Sequence, residues 1–262
     1  MQNIPYTKKS LGQHWLHDEA SLEAIIAAAD VQPGDTVLEV GPGPGTLTEK
    51  LVAVADKVVA VEFDQDLARD LPARVPADNL TVVSQDILSF DLTSLPPQYK
   101  VVANIPYYLT SNLLRVMCES PNPFSKASIL IQKEVAERVC AKPGSMSMLS
   151  VSVQFYCEAR LDVLVPAELF TPPPKVDSQV LALTFRDKPL FDVDTKLFFR
   201  IVKAGFAQRR KTLLNSLSGG LHLSREETTA LLEAAHIAPV TRAQSLSLDQ
   251  WHELYLAYKN IG

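Results

Sequence analysis

The stretch TVLEVGPGPGTLTEKLVAVA (36–55) decides how this chain is read. Thr36 to Val40 form a β-branched, apolar run of strand length. Gly41, Gly43 and Gly45, alternating with Pro42 and Pro44, then end that run, and LTEKLVAVA (47–55) resumes with helical periodicity. Strand, glycine turn and helix in that order open a doubly wound α/β sheet, in which ligands bind beyond the carboxyl ends of the strands. Glycine lets the backbone approach such a ligand with no Cβ between them. The spacing is G-x-G-x-G and not G-x-G-x-x-G, so the phosphate-cradling dinucleotide fingerprint is not met. A plain structural turn would also use three glycines, and the rest of the chain has to distinguish the two.

Downstream the alternation repeats. VVAVE (58–62), LTVVSQD (80–86), KVVAN (100–104) and ASILIQ (127–132) read as buried strands. DQDLARDL (64–71), LTSNLLRVMCES (109–120) and KEVAERVC (133–140) read as helices between or after them. Met148 to Val165 fits either a strand, from the alternation of Val151, Val153 and Phe155, or a helix followed by a strand. TPPPK (171–175) is a rigid connection, because proline fixes φ and removes a donor, and SQVLALTFR (178–186) reads as a closing strand. Beyond Asp187 the pattern becomes helical, in TKLFFRIVKAGFAQRRKTLLNSL (195–217), REETTALLEAAH (225–236) and SLDQWHELYLAYKN (247–260). Ser247 and Gln250 have capping-box spacing. The expected organisation is an α/β domain over 1–190 with an N-terminal lid, followed by a small C-terminal all-helical domain over 191–262.

Composition sets limits. With 262 residues, 47% of them hydrophobic, the chain can bury a sizeable core. No apolar run approaches the roughly 18 residues of a membrane span, and no apolar h-region opens the chain, so a soluble, unexported protein is expected. Cys118, Cys140 and Cys157 are widely spaced and read as reduced thiols; no metal is called for. The net charge of −5 excludes a broadly basic nucleic-acid binder. Basic residues are nevertheless in excess from 187 onward, ten against eight acidic, so any contact with RNA is expected to be local.

Two further strand ends carry carboxylates on the same edge as the glycine loop. Glu62 closes the second strand about twenty residues after the loop, where it can accept both ribose hydroxyl protons. Asp86 closes the third and can accept from an adenine amino group. Together with Gly41 and Gly43 these residues specify a nucleoside ligand. The fourth strand ends in Asn104-Ile105-Pro106-Tyr107, which resembles the [DNS]-[IP]-P-[YF] motif of methyltransferases acting on amines of nucleobases and glutamine. An adenine N6 lone pair is delocalised into the ring and is a poor nucleophile. The Asn104 side-chain oxygen and the Ile105 carbonyl can each accept one N6 hydrogen, aligning the lone pair as positive charge develops. Tyr107 offers a face for stacking the base, and Phe170, just before the prolines, is a candidate second wall. A base within a helix cannot present N6, so the target is flipped or unpaired.

With these residues in hand the chain resembles the KsgA-type (RsmA) small-subunit ribosomal RNA adenine N6,N6-dimethyltransferase family over nearly its whole length. The resemblance runs through KSLGQHWL (9–16), with Trp15 where the family pattern has Phe, and through EVGPGPGTLT (39–48), VEFD (61–64), NIPY (104–107) and QKEVAERV (132–139). It continues in LFTPPPKVDS (169–178) and FAQRRKTLLNSL (206–217). It implies a Rossmann-like class I methyltransferase sheet. His14, Leu16, Gly41, Gly43, Glu62, Asp86 and Asn104 would hold S-adenosylmethionine, released as S-adenosylhomocysteine. Asn104, Tyr107 and Phe170 would meet the adenine, Lys8, Lys9, Lys175, Arg209, Arg210 and Lys211 would meet phosphates, and the helical domain over 191–262 would bind RNA. It further implies two adjacent target adenines in a hairpin near the 3′ end of small-subunit rRNA, a pre-ribosomal small subunit as partner, a monomer and a cytoplasmic location. The alternatives are an Erm-type enzyme of large-subunit rRNA, which shares the cofactor site, and a non-catalytic RNA-binding assembly factor.

Overall fold

The structure, a computed structural model, describes residues 7–8, 11–208 and 210–260. It divides into two compact units. The first comprises 1–136 and 157–185, the second 137–156 and 186–262.

The first unit holds the α/β alternation expected from the sequence. After a short strand β1 (Trp15–Leu16) come α1 (Glu19–Ala28), β2 (Thr36–Val40), α2 (Thr46–Val54), β3 (Lys57–Glu62), α3 (Gln65–Arg74), β4 (Leu80–Ser84), β5 (Lys100–Asn104), α4 (Thr110–Glu119), β6 (Lys126–Gln132) and α5 (Lys133–Val139). The helix α6 (Met148–Tyr156), a part of the second unit, leads directly into β7 (Cys157–Val165) of the first, so the ambiguous stretch is a helix followed by a strand. A two-residue β8 (Phe170–Thr171) and the closing β9 (Ser178–Phe185) complete the unit.

Seven strands form one sheet in the order β4-β3-β2-β5-β6-β9-β7. β2 to β6 are parallel, and β9 runs antiparallel to both β6 and β7. β2 and β5 are buried along nearly their whole length, as parallel strands covered on both faces must be. Val37, Val58, Val102 and Leu130 from the sheet pack with Leu47 and Leu51 of α2 and with Leu22 and Ile25 of α1. Strand order reverses between β2 and β5, which opens a crevice at their carboxyl ends where Gly41 follows one strand and Asn104 ends the other.

The second unit is helical: α6 is joined by α7 (Thr195–Phe206), α8 (Leu213–Leu221), α9 (Arg225–Ala234) and α10 (Leu248–Lys259). Its core includes Val151, Phe155, Phe198, Leu217, Leu232, Trp251 and Tyr255, with the rings of Phe155 and Phe198 stacked 5.0 Å apart. The capping box of Ser247 and Gln250 is formed as expected.

Two sequence expectations are corrected here. The division at 190/191 assigns 137–156 to the α/β domain, yet Met146, Val151 and Phe155 pack into the helical core. The segment 195–217, which reads as one helix, is two, broken between Phe206 and Leu213. At roughly 100° per residue, a straight helix would turn Leu214 and Leu217 away from the face carrying Phe198, Ile201 and Gly205. Only a turn buries both sets.

Gly205 of α7 lies against Trp251, and a Cβ at this position would overlap the indole ring. Gly205→Ala is therefore expected to destabilise the protein by about 1–3 kcal/mol through overpacking. The denaturant midpoint reads this, and an unchanged midpoint would show that Trp251 can move aside. Among the described residues no helix is long and apolar enough to cross a membrane.

Candidate active site

A cavity of about 270 Å³ occupies the crevice at the β2/β5 reversal. Gly41, Gly43, Glu62, Asp86, Asn104, Tyr107, His14 and Phe170 all line it. Strands whose sequence separations run from about twenty to more than a hundred residues thus deliver their ends to one place.

Gly41, Gly43 and Gly45 each have positive φ, at 68°, 57° and 96°. That geometry is strained for any residue with a Cβ. At Gly43 a Cβ would also lie 2.7 Å from the Trp15 ring. The larger side chain at 15 is accommodated because the glycine loop leaves it room, and Trp15 is buried against that loop.

Glu62 ends β3 and is 6% exposed. One carboxylate oxygen accepts from the Gly43 amide at 3.1 Å and the other from the Asp64 amide at 2.9 Å. Burial pushes its carboxyl above the ordinary range, with these backbone donors opposing the shift. Asp86 lies two residues beyond the end of β4 instead of closing it. The Gln85 amide donates to the Glu62 carbonyl, and Asp86 then caps a short 3-10 turn by accepting from the Leu88 amide at 3.0 Å. Asp86 nevertheless lines the cavity.

Asn104 ends β5, and Pro106 leads into a 3-10 turn that presents Tyr107 and Tyr108. The Tyr107 hydroxyl and the buried Ser178 hydroxyl are 2.9 Å apart. The ring stands 6.2 Å from that of His14, with 21° between their planes. His14 Nδ1 is 2.6 Å from the Pro172 carbonyl. A carbonyl only accepts, so Nδ1 carries the hydrogen, and in the neutral ring Nε2 is an acceptor. β1 pairs antiparallel with β8, placing Leu16 opposite Phe170, so the N-terminal segment and the Phe170 loop are held together at the cavity.

Other sequence-predicted residues sit elsewhere. Leu16 is 1% exposed and packs in the core; its carbonyl accepts from the Thr46 hydroxyl at 3.2 Å, and it borders a smaller adjoining cavity. Lys8, assigned to phosphates from the sequence, instead donates to Asp64 at 2.8 Å and Asp66 at 3.1 Å, and its amide donates to Gln13. Gln13 in turn donates to Asp64, so this network ties the N-terminal segment to the residue two beyond Glu62. Lys175, Arg210 and Lys211 are exposed. Lys9 and Arg209 lie outside the described residues. Sequence pattern does not single out Phe63, Ile87, Leu88 or Tyr108 as site residues, although all four line the cavity. Each directly follows a residue that the pattern does identify, or lies one further on, and that adjacency is the available signal. No cluster able to hold a metal occurs among the described residues.

Glu39, beneath the loop, is 1% exposed and neither carboxyl oxygen is hydrogen-bonded. Thr48 approaches without reaching bonding geometry, and burial pushes the Glu39 carboxyl up to about 8. A raised carboxyl pKa means the folded state holds its proton while the unfolded state loses it. Its contribution to stability is therefore full below about pH 4.5 and is lost as pH rises toward about 8. Glu39→Gln is expected to be the more stable protein at pH 8, with the gap closing at pH 5. Thermal unfolding without added ligand checks this, and an equal gap at both pH values would refute it.

Residues 5–260 match the sequence model of the ribosomal RNA adenine dimethylase family. A ribosomal RNA small subunit methyltransferase A from Dehalococcoides mccartyi is 41% identical over 256 residues, covering 96% of this chain and 88% of the relative. The protein of that name from Clostridioides difficile is also 41% identical, covering 94% and 89%. Among solved structures, a dimethyladenosine transferase from Plasmodium falciparum superposes with a TM-score of 0.78 at 25% identity, covering 94% of this chain and 97% of the other. The 23S rRNA methyltransferase ErmE does so with 0.76 at 28%, covering 94% and 99%. The fold is that of class I methyltransferases. With the family model matched from residue 5 to 260 and relatives 41% identical over nearly the whole length, the chain belongs to the ribosomal RNA adenine dimethylase family, enzymes that methylate adenine in ribosomal RNA.

Proposed function

We propose that this chain uses S-adenosylmethionine to dimethylate the N6 amines of two adjacent adenines in a hairpin near the 3′ end of small-subunit (16S) rRNA. The observation that carries the reading is the meeting of the Asn104-Ile105-Pro106-Tyr107 turn with the glycine loop and Glu62 around one cavity. His14, Leu16, Gly41, Gly43, Glu62, Asp86 and Asn104 would hold the cofactor, Leu16 from the smaller adjoining cavity beside the glycine loop. Glu62 accepts from ribose hydroxyls, and Asp86 from the adenine amine of the cofactor. When bound, the cofactor supplies an electrophilic methyl group on a sulfonium.

The chain's own residues do the rest by positioning. Asn104 and the Ile105 carbonyl accept the two hydrogens of the target N6, so that its lone pair faces the methyl group. Tyr107 and Phe170 hold the flipped base between them. Once alkylated, the nitrogen loses a proton to water, so no dedicated base is needed. Lys9, Lys175, Arg209, Arg210 and Lys211 would meet phosphate, and Lys8, itself exposed, would do so by exchanging its pairing with Asp64 and Asp66. The partner in this proposal is a pre-ribosomal small subunit, bound by a monomer in the cytoplasm.

The relatives at 41% identity named for the small subunit support this reading over the Erm-type alternative, which rests on 28% identity to ErmE. The test is transfer of tritiated methyl to undermethylated small subunits, with mapping of the labelled nucleotides. Two adjacent dimethyladenines near the 3′ end are expected. Label in large-subunit rRNA instead would favour the Erm-type reading. Absence of both transfer and calorimetric binding of S-adenosylmethionine would favour an assembly factor.

A further inference from the structure

Between residues 195 and 224 the chain carries six Lys and Arg and no Asp or Glu, whereas the remainder of 187–262 carries four basic against eight acidic residues. Half of the six lie on one helix face. Lys196, Arg200 and Lys203 of α7 recur at i, i+4 and i+7 and all are exposed. Opposite them Phe198, Ile201, Val202 and Gly205 are buried in the helical core. The row spans roughly 10 Å along the helix, from about 1.5 Å of rise per residue. Arg210 and Lys211 extend it into the turn before α8.

Like charges three and four residues apart on a helix repel one another, and opposite charges at that spacing pair. On α3 the cation Arg69 is paired, with Asp66 and Asp70. None of Lys196, Arg200, Lys203, Arg210 and Lys211 takes part in an ion pair with a described residue. Asp194, the nearest acidic residue before the row, is engaged in capping α7 through the Leu197 amide. A row of unneutralised cations on a protein of net charge −5 is complementary to a polyanion.

We propose that the exposed face of α7 is an RNA phosphate track, in which Lys196, Arg200 and Lys203 bind the backbone of the substrate RNA without reading its sequence. The proposal rests on the reading of this chain as an enzyme acting on ribosomal RNA, and it adds three cations of α7 to Arg210 and Lys211 of the adjoining turn. Contacts of this kind set affinity and its salt dependence, not the rate of the chemical step.

The test uses the full chain with Lys196→Gln, Arg200→Gln and Lys203→Gln combined. Binding to undermethylated small subunits and to protein-free small-subunit rRNA is measured from low to physiological salt, alongside methyl transfer by the variant and by the unaltered enzyme. The slope of log K against log salt is expected to become shallower by about 2–3, from roughly 0.7–0.9 for each of three phosphates no longer neutralised. KM for RNA should rise while kcat at saturation and cofactor affinity stay the same. The Lys196→Arg, Lys203→Arg variant should retain the original slope. If the triple variant fails to fold, Lys196→Gln and Lys203→Gln singly should each lower the slope by about 0.7–0.9.

An unchanged slope in an enzyme that methylates small subunits would make this row a merely solvated helix face and overturn the proposal alone. A change seen with subunits but not with protein-free rRNA would mean that the face meets a ribosomal protein, which also overturns it. Failure of the unaltered enzyme to methylate small subunits would instead remove the functional reading on which it rests.

Discussion

Asn104→Ala is expected to lower the rate of methyl transfer by on the order of 10²–10³-fold, the usual consequence of removing one acceptor or donor aimed at developing charge. The charge in question appears on the adenine nitrogen only as the new N–C bond forms. An acceptor on its hydrogen therefore strengthens along the reaction, and its loss falls mainly on kcat. The substitution should spare the fold. Asn104 is the last residue of β5, and its register opposite Leu130 is held by backbone pairing that alanine keeps. Affinity for S-adenosylmethionine should change little, because Glu62, the glycine loop and His14 remain. Asn104→Asp keeps an acceptor oxygen and should recover part of the rate. Single-turnover transfer combined with calorimetry of cofactor binding checks the prediction; an equal loss in rate and in cofactor affinity would place Asn104 in binding alone.

Glu62→Ala should act on the other half of the site, weakening cofactor binding by on the order of 10–10²-fold, the range for losing a charged hydrogen bond of about 1.5–3 kcal/mol. Two effects combine. The ribose hydroxyls lose their acceptor, and the amides of Gly43 and Asp64 lose the carboxylate that now accepts from them. The second effect loosens the glycine loop itself. Ionised Glu62 is the form that accepts, and burial raises its pKa. Cofactor affinity in the unaltered protein should therefore decline as pH falls through a value above the ordinary carboxylate range. Glu62→Gln should bind more weakly at neutral pH and lack that decline. Titration calorimetry over a pH series decides the matter, and unchanged affinity in the alanine variant would remove Glu62 from the ribose site.

Much of this site is legible in the order of residues along the chain. Glu62 and Asn104 can be placed because parallel strands deliver their carboxyl ends to one edge, so a polar residue closing an apolar run is already positioned relative to its neighbours. The same logic locates Gly41 and Gly43. It is less accurate for Asp86, which sits past the end of β4 in a capped turn, because the alternation that marks a strand does not mark where pairing stops. The segment 195–217 reads as one continuous helix for a related reason. Its periodicity is helical throughout, and the shift of the apolar face between Phe198 and Leu214 acquires meaning only once both must reach one core.

Other features depend on partners that local pattern does not reveal. Lys8 reads as a free cation and is paired with Asp64 and Asp66. Leu16 reads as a cofactor contact and is buried in the core, bordering a smaller cavity beside the glycine loop. Residues 137–156 follow the α/β pattern in sequence and pack with the helices in space.

The sequence by itself determined the order of elements, the glycine loop, the strand-end polar residues and the local excess of basic residues before α9. Each of these is written in neighbours along the chain, where the periods of strand and helix and the backbone demands of glycine and proline operate. Only the tertiary structure decided that β1 pairs with β8, that His14 meets Pro172 and Tyr107, that Ser178 holds the Tyr107 hydroxyl, and that Glu39 is buried without a hydrogen-bond partner. The pairings join residues some 70 to 160 positions apart, and the burial of Glu39 depends on layers contributed by distant segments. Neither the complementarity of distant side chains nor the dielectric around a carboxyl exists until the core has closed around them.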